Sequence, residues 1–305
     1  MQGTRSGILI LLIPPVMWAA NAIVGRMAVD LIPPMLFNFM RWLLVLVFLL
    51  PLAPWIIRPG SGLLTHWKRY MVLGILSVSA YNSLQYLALH TSSAINVTLI
   101  AASMPVWMLL VGRVFFHAPI GGLKVLGAVA SIVGVLIVLI QGDPANLARF
   151  KFVAGDLYIV VAIISWAVYS WMLKHTHEPA RIRQDWAALL LAQVIYGLAF
   201  SGLFSATEAV VSAQRAQWGW PLAAILIFVA IGPAILAYRA WGEGVQRVGP
   251  TVAGFFANLT PLLTAIMSSL FLGEHPKLYH GLSFVLIALG IWLSSIGPRR
   301  IANKS

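Results

Sequence analysis

The residues of this chain that could do chemistry are rings and amides at helical spacing. They are binding groups rather than bond-making ones. Trp18 and Asn21 share a helix face at i, i+3, and so do Trp166 and Tyr169. Tyr81, Asn82, Gln85 and Tyr86 fall on one arc of a helix. Asn96, Ser103 and Trp107 share a face at i, i+7, i+11, and Asn258 stands near Pro261 in the corresponding later stretch. Such a set suits an apolar solute with a few polar groups. Arg41, three residues after Asn38, adds a permanent cation fit for a carboxylate. Glu243 is the one acid within an apolar run and the candidate for proton coupling, although Arg239 at i−4 offers it an ion pair. The same residue types also make interhelical hydrogen bonds, interfacial anchors and snorkelling cations, and those readings stand beside the functional ones.

Bond-making constellations are missing. There are no cysteines, which removes thiol nucleophiles, disulfides and Cys-ligated metals. No HExxH, Walker A or Gly-x-Ser-x-Gly motif is present, nor a pair of carboxylates. His175 and His177 at i, i+2 point to different helix faces. No metal, no cofactor and no enzymatic reaction are expected.

The elements that must position these groups are membrane spans. The chain is 60% hydrophobic and 9% charged, with a mean hydropathy of +0.90, whereas ordinary soluble domains are about 25% charged. The net charge of +12 does not argue for nucleic acid, because the basic residues stand at the ends of apolar runs, as in cytoplasmic loops. Ten apolar segments can be marked: 7–29, 33–56, 68–89, 93–116, 121–141, 154–175, 184–205, 220–245, 250–272 and 278–297. Turn signals such as Ile32-Pro33-Pro34 and Gly249-Pro250 separate them. Arg5, an apolar run and Ala20-Asn21-Ala22 resemble a secretory signal. Because the run continues past Asn21 and matches a later span, it is expected to stay as a helix. With the N-terminus inside, Lys and Arg gather on the cytoplasmic side, so both termini are expected there.

The chain repeats itself. Ala80–Pro119 recurs at Ala237–Pro276 with a period of about 156 residues: an Ala-Tyr start, a small-residue turn, then an apolar run with Pro105 or Pro261 inside it. Trp18-Ala19-Ala20-Asn21 likewise matches Trp166-Ala167-Val168-Tyr169. Two repeats, 1–148 and 149–305, hold five spans each. Five is odd, so the second must enter the membrane inverted relative to the first. Pro105 and Pro261 should bend their helices and are the candidate gating hinges. Gly127, Gly134, Gly281 and Gly290 read as close helix contacts.

These features resemble the drug/metabolite transporter superfamily and, within it, the family with two EamA domains. The resemblance rests on the two Trp motifs, the turns at His90–Ala94 and Arg247–Thr251, Met104-Pro105, Thr260-Pro261 and Gly273-Glu274. More narrowly, the chain is similar to YddG-type exporters of aromatic amino acids. The first half has His117-Ala118 where the second has Gly273-Glu274, which weakens any role for that Glu. The resemblance implies an all-α membrane protein, ten helices in two inverted five-helix repeats around a central cavity, in a bacterial inner membrane. It implies a monomer that exports amino acids and related metabolites by alternating access, with lipid and a small solute as its partners. Exporters of lipophilic cations and nucleotide-sugar carriers of the same superfamily are the alternatives.

Overall fold

The computed structural model describes residues 2–92, 94–149, 153–175, 178–272 and 278–296, and every described element is helical. The composition leaves little choice: in hydrocarbon each backbone N–H and C=O must find a partner within its own segment. Among the described residues, seven helices are long and apolar enough to cross a membrane: Ser6–Gly25, Gly122–Leu139, Ala154–Lys174, Trp186–Val211, Trp220–Val248, Pro250–Met267 and Leu278–Ser295. Pro34–Leu49 and Met104–Phe116 are shorter apolar helices. Residues 67–91 form a further continuous helical run, through Trp67–Gly74, Ile75–Ala80 and Tyr81–Thr91.

Most helices start and stop within a few residues of the apolar segments in the sequence. The exception is the segment expected over 33–56. Its α-helix ends at Leu49, and a short 3-10 turn, Pro54–Ile57, completes it. Pro51 and Pro54 remove two consecutive opportunities for helical N–H donors there.

Glycines set the closest approaches. The Gly122–Leu139 and Leu278–Ser295 helices run against each other, and a Cβ built on Gly127 would stand 2.8 Å from the Gly290 carbonyl. Gly134 is similarly crowded, its Cβ position 3.0 Å from Ser283 O. Gly281 does not share this role; nothing lies within 4 Å of its Cβ position. The Pro34–Leu49 helix packs along Trp186–Val211. Met104–Phe116 packs on Ala154–Lys174, and Leu259–Leu272 packs on Ile13–Met27.

Two kinds of irregularity recur at matching places in the two halves, apart from a further break between Gln2–Ile10 and Ile13–Met27. Residues Ile75–Ala80 and Ala230–Leu236 form wide π-helical turns directly before Tyr81 and Tyr238. In the later copy Pro233 lacks the N–H that a regular turn needs. In the earlier copy no proline is present, and Ser77 Oγ instead takes the Leu73 carbonyl at 2.7 Å. The second irregularity is a break. Ala94–Ala101 and Met104–Phe116 are separate helices, as are Pro250–Ala257 and Leu259–Leu272. Each break lies N-terminal to its proline. Pro105 sits in the first turn of its helix, where a missing N–H costs nothing, and Pro261 is the third residue of the next one.

The two breaks touch. Asn258 Nδ2 donates to the Ala102 carbonyl at 3.1 Å and to Ser131 Oγ at 2.9 Å. The partners Ala102 and Asn258 are 156 residues apart, the spacing of the sequence repeat.

One end of the bundle is tied by polar contacts. Arg69 Nε pairs with the buried Glu178 at 2.8 Å, and Arg69 Nη2 donates to Met172 O and His175 O. Lys174 Nζ donates to Gln246 O, and Gln246 Nε2 to Leu173 O. Burial and the Arg69 pair make Glu178, which stands between two apolar segments, part of this tie. At another contact Glu208 accepts the Met35 and Leu36 N–H groups at 3.1 and 2.9 Å, which satisfies the start of the Pro34–Leu49 helix.

Candidate functional site

The expected site residues converge on a cluster of rings. Trp166 is its centre, 2% exposed. Around it stand Trp18 at 5.5 Å between ring centroids, Tyr81 and Tyr169 at 5.0 Å, Tyr238 at 5.3 Å and Trp241 at 5.5 Å. Trp42 joins through Tyr238 at 5.0 Å, edge to face. These spacings are those of favourable ring pairs. The indoles of Trp18 and Trp166 thus face inward, as their shared motif predicts.

The two wide turns hold the cluster. A π-helical turn shifts the helix register and leaves carbonyls for other donors. Ser77 O accepts from Tyr238 Oη at 2.9 Å and from Asn82 Nδ2 at 3.1 Å. Val78 O accepts from Asn38 Nδ2 at 3.3 Å, and Pro233 O from Trp18 Nε1 at 3.3 Å. Trp241 Nε1 donates to Ser170 Oγ at 3.0 Å. Tyr238 and Trp18 are therefore oriented by backbone carbonyls of the two wide turns, and Trp241 by the Ser170 hydroxyl.

The sequence pointed to a chamber lined by these rings. The rings stand each against the next, with Trp166 and Tyr169 both 2% exposed and Trp18 and Tyr81 half-buried. A cavity of about 150 Å³ lies elsewhere, among Ile8, Arg247, Val248, Val252 and Ser295.

The amides divide into two groups. Asn38 and Asn258 are fully engaged in the fold. Asn38 Nδ2 also donates to Ser201 Oγ at 3.2 Å, and its Oδ1 accepts from Arg41 Nη2 at 2.8 Å. Asn258 bridges the helix breaks, and Asn82 closes the wide turn. Asn21 is different: its Oδ1 is buried with no hydrogen-bond partner. Gln85 is half-buried, one turn beyond Tyr81. Trp107 is half-buried and donates to Ser103 Oγ at 3.1 Å, at the helix break rather than in the ring cluster. The side chains of Tyr86 and Asn96, and residues 273–277 with Glu274, lie outside the described ones.

The charged candidates separate in the same way. Arg41 is buried, 4% exposed, and its guanidinium lies 5.2 Å from the Trp42 ring centroid. Glu243 is partly exposed and its two oxygens are each taken by a guanidinium, Arg239 at 3.2 Å and Arg247 at 3.0 Å. Arg239 also lies 4.5 Å over the Trp186 ring. Glu243 is thus built into a surface ion-pair network of one helix.

Three ring-cluster members were not among the residues singled out from the sequence: Trp42, Tyr238 and Trp241. Tyr238 is the repeat counterpart of Tyr81, so the internal alignment contained it. Trp241 follows at i+3 on the same face. Trp42 carries no comparable signal, being one more apolar residue in an apolar run.

A sequence model described as the EamA-like transporter family matches residues 5–140 and again 153–296. Among curated proteins, the chain is 24% identical over 297 residues to an uncharacterized transporter of Archaeoglobus fulgidus, covering 94% of this chain and 96% of that one. It is 25% identical over 232 residues to the uncharacterized transporter YyaM of Bacillus subtilis, covering 76% and 74%. It is 26% identical to the uncharacterized inner membrane transporter YicL of Salmonella typhimurium over the full length of both. A solved crystal structure superposes with a TM-score of 0.75 at 17% identity, covering 96% of this chain and 97% of that one. At that identity the likeness concerns the fold alone.

Proposed function

The chain belongs to the EamA-like transporter family and is a multi-pass membrane transporter; from that premise we propose that it exports amino acids with aromatic or apolar side chains, and related metabolites, by alternating access. The reading has ten spans in two inverted repeats, 1–148 and 149–305, with both termini cytoplasmic. Two successive matches of the family model support the division. So does the packing, in which Met104–Phe116 on Ala154–Lys174 mirrors Leu259–Leu272 on Ile13–Met27. The excess of Lys and Arg at one set of ends supports the orientation.

The observation that carries the proposal is the ring cluster itself. Trp18, Trp42 and Tyr81 come from the first repeat; Trp166, Tyr169, Tyr238 and Trp241 come from the second. A cluster shared between repeats opens when they rock apart, and a solute ring then replaces protein rings at similar contact. Trp18, Asn21, Tyr81, Gln85, Trp166 and Tyr169 are the proposed contacts, with Asn38 and Asn82 holding their neighbours in place. Trp107 and Asn258 belong to the pivot, where the breaks before Pro105 and Pro261 meet. A phosphate-bearing substrate would require several cations at mid-depth. Arg239 is committed to Glu243 and Trp186, so Arg41 stands alone. Rings also favour a lipophilic cation through their faces, and this is the second reading.

Efflux of labelled phenylalanine from liposomes loaded with the purified protein's substrate tests the proposal. Transport above protein-free liposomes, lost in Trp166→Ala, is expected. A folded protein that moves no amino acid would remove the reading.

A further inference from the structure

Resting on the transport reading above, we infer that Arg41 and Trp42 set the charge of the solute and select an aromatic monocarboxylate, with or without an ammonium group. Arg41 is 4% exposed and Trp42 is fully buried. Arg41 gives one Nη2 hydrogen to Asn38 Oδ1, but its Nε is buried with no acceptor. The adjoining Trp42 Nε1 is also buried with no acceptor. Two consecutive residues therefore hold unmet N–H donors, one of them on a cation.

Their place gives the donors meaning. The guanidinium stands 5.2 Å from the Trp42 ring centroid, that ring 5.0 Å from Tyr238, and Tyr238 5.3 Å from Trp166. Asn38, fixed by Val78 O and Ser201 Oγ, steers the guanidinium from below. The unpaired charge is thus at the edge of the ring cluster, on a side chain already aimed.

A buried cation calls for a counter-charge. The two buried acids among the described residues are used elsewhere. Asp156 accepts from Ser92 Oγ and the Val153 N–H, and Glu178 pairs with Arg69. No described acid pairs with Arg41. A solute carboxylate supplies what is missing, since a planar guanidinium matches its two oxygens. The converse also follows: no described carboxylate faces the rings to receive an ammonium group. An amino group on the solute is tolerated rather than required, and a lipophilic amine meets like charge at Arg41.

The test uses full-length protein in liposomes and labelled phenylalanine efflux, with two competitors that share one ring. 3-Phenylpropionate keeps the carboxylate and lacks the amine; phenethylamine is the reverse. Competition by 3-phenylpropionate within a few-fold of phenylalanine, and none by phenethylamine, is expected. Arg41→Gln should raise the half-saturating concentration of 3-phenylpropionate roughly thirtyfold or more, with partial recovery in Arg41→Lys. Should Arg41→Gln fail to fold, Trp42→Phe keeps an aromatic ring, removes the indole N–H together with part of the ring, and should weaken competition about fivefold. Competition by phenethylamine equal to or above that of 3-phenylpropionate overturns the inference while leaving transport standing. Unchanged 3-phenylpropionate affinity in a folded Arg41→Gln does the same. If labelled phenylalanine, 3-phenylpropionate and phenethylamine are all immobile, the transport reading fails, and the inference with it.

Discussion

Two of the places where distant parts of the chain meet, the helix breaks and the wide turns, are built from opposite materials. At the helix breaks, Asn258 joins Ala102 and Ser131 through one amide, and Asn258 is 1% exposed. At the wide turns, the contact is made by seven rings, and Trp18 and Tyr81 remain only half-buried. A directional bond between buried polar groups holds one geometry and resists sliding. Ring-on-ring contact tolerates many angles at similar energy. The difference teaches where motion belongs: the amide crossing is suited to a fixed point, the ring crossing to an aperture.

Substitutions that attack each crossing separately can break or sharpen this contrast. Trp166→Ala should have the largest effect, removing the central ring from five others. A loss of about 3–5 kcal/mol is expected for such a truncation, read as a lower unfolding midpoint in detergent, together with loss of efflux. Asn258→Leu should follow, at about 1–3 kcal/mol, because Ala102 O and Ser131 Oγ lose their partner in a buried place. The contrast predicts that its efflux rate falls more than its solute affinity, which a saturation curve separates. Equal loss of both at this position would erase the distinction.

Tyr238→Phe keeps the ring and deletes the bond to Ser77 O, at about 1 kcal/mol. It should leave the unfolding midpoint near that of the parent while shifting solute affinity. The smallest effect is expected from Glu243→Gln, since partly exposed ion pairs contribute about 0–1 kcal/mol. Efflux measured with and without a pH gradient should be indifferent to it. Dependence on Glu243 would restore that residue as the proton-coupling group.

Much of the helical layout could be read from the sequence because lipid imposes it. Runs such as 250–272 and 154–175 are predominantly apolar, and their helices end within a residue of those bounds. The wide turn at Ile75–Ala80 was not legible. Its sequence contains no proline, and its geometry depends on donors from other helices, Tyr238 and Asn38. The break positions were offset for a related reason: proline marks where an N–H is absent, while the turn preceding it yields. Among the candidate residues, Trp18, Tyr81, Trp166 and Tyr169, picked out by repeat and face, stand together in the ring cluster. Asn38 and Asn258 were read as ligand groups, yet an amide that binds a solute and one that binds a neighbouring helix are the same side chain. Only the partner tells them apart.

The bond between positions 102 and 258 has a historical implication under the inverted plan. In a pair of identical five-helix subunits, both positions would carry the same side chain, and two methyls or two amides would face each other across the dyad. An amide on one side and a methyl on the other, as at 258 and 102, requires the copies to differ. Fusion into a single polypeptide is what lets the two mutate independently, so this unequal handshake is accessible to the duplicated gene and closed to its homodimeric equivalent.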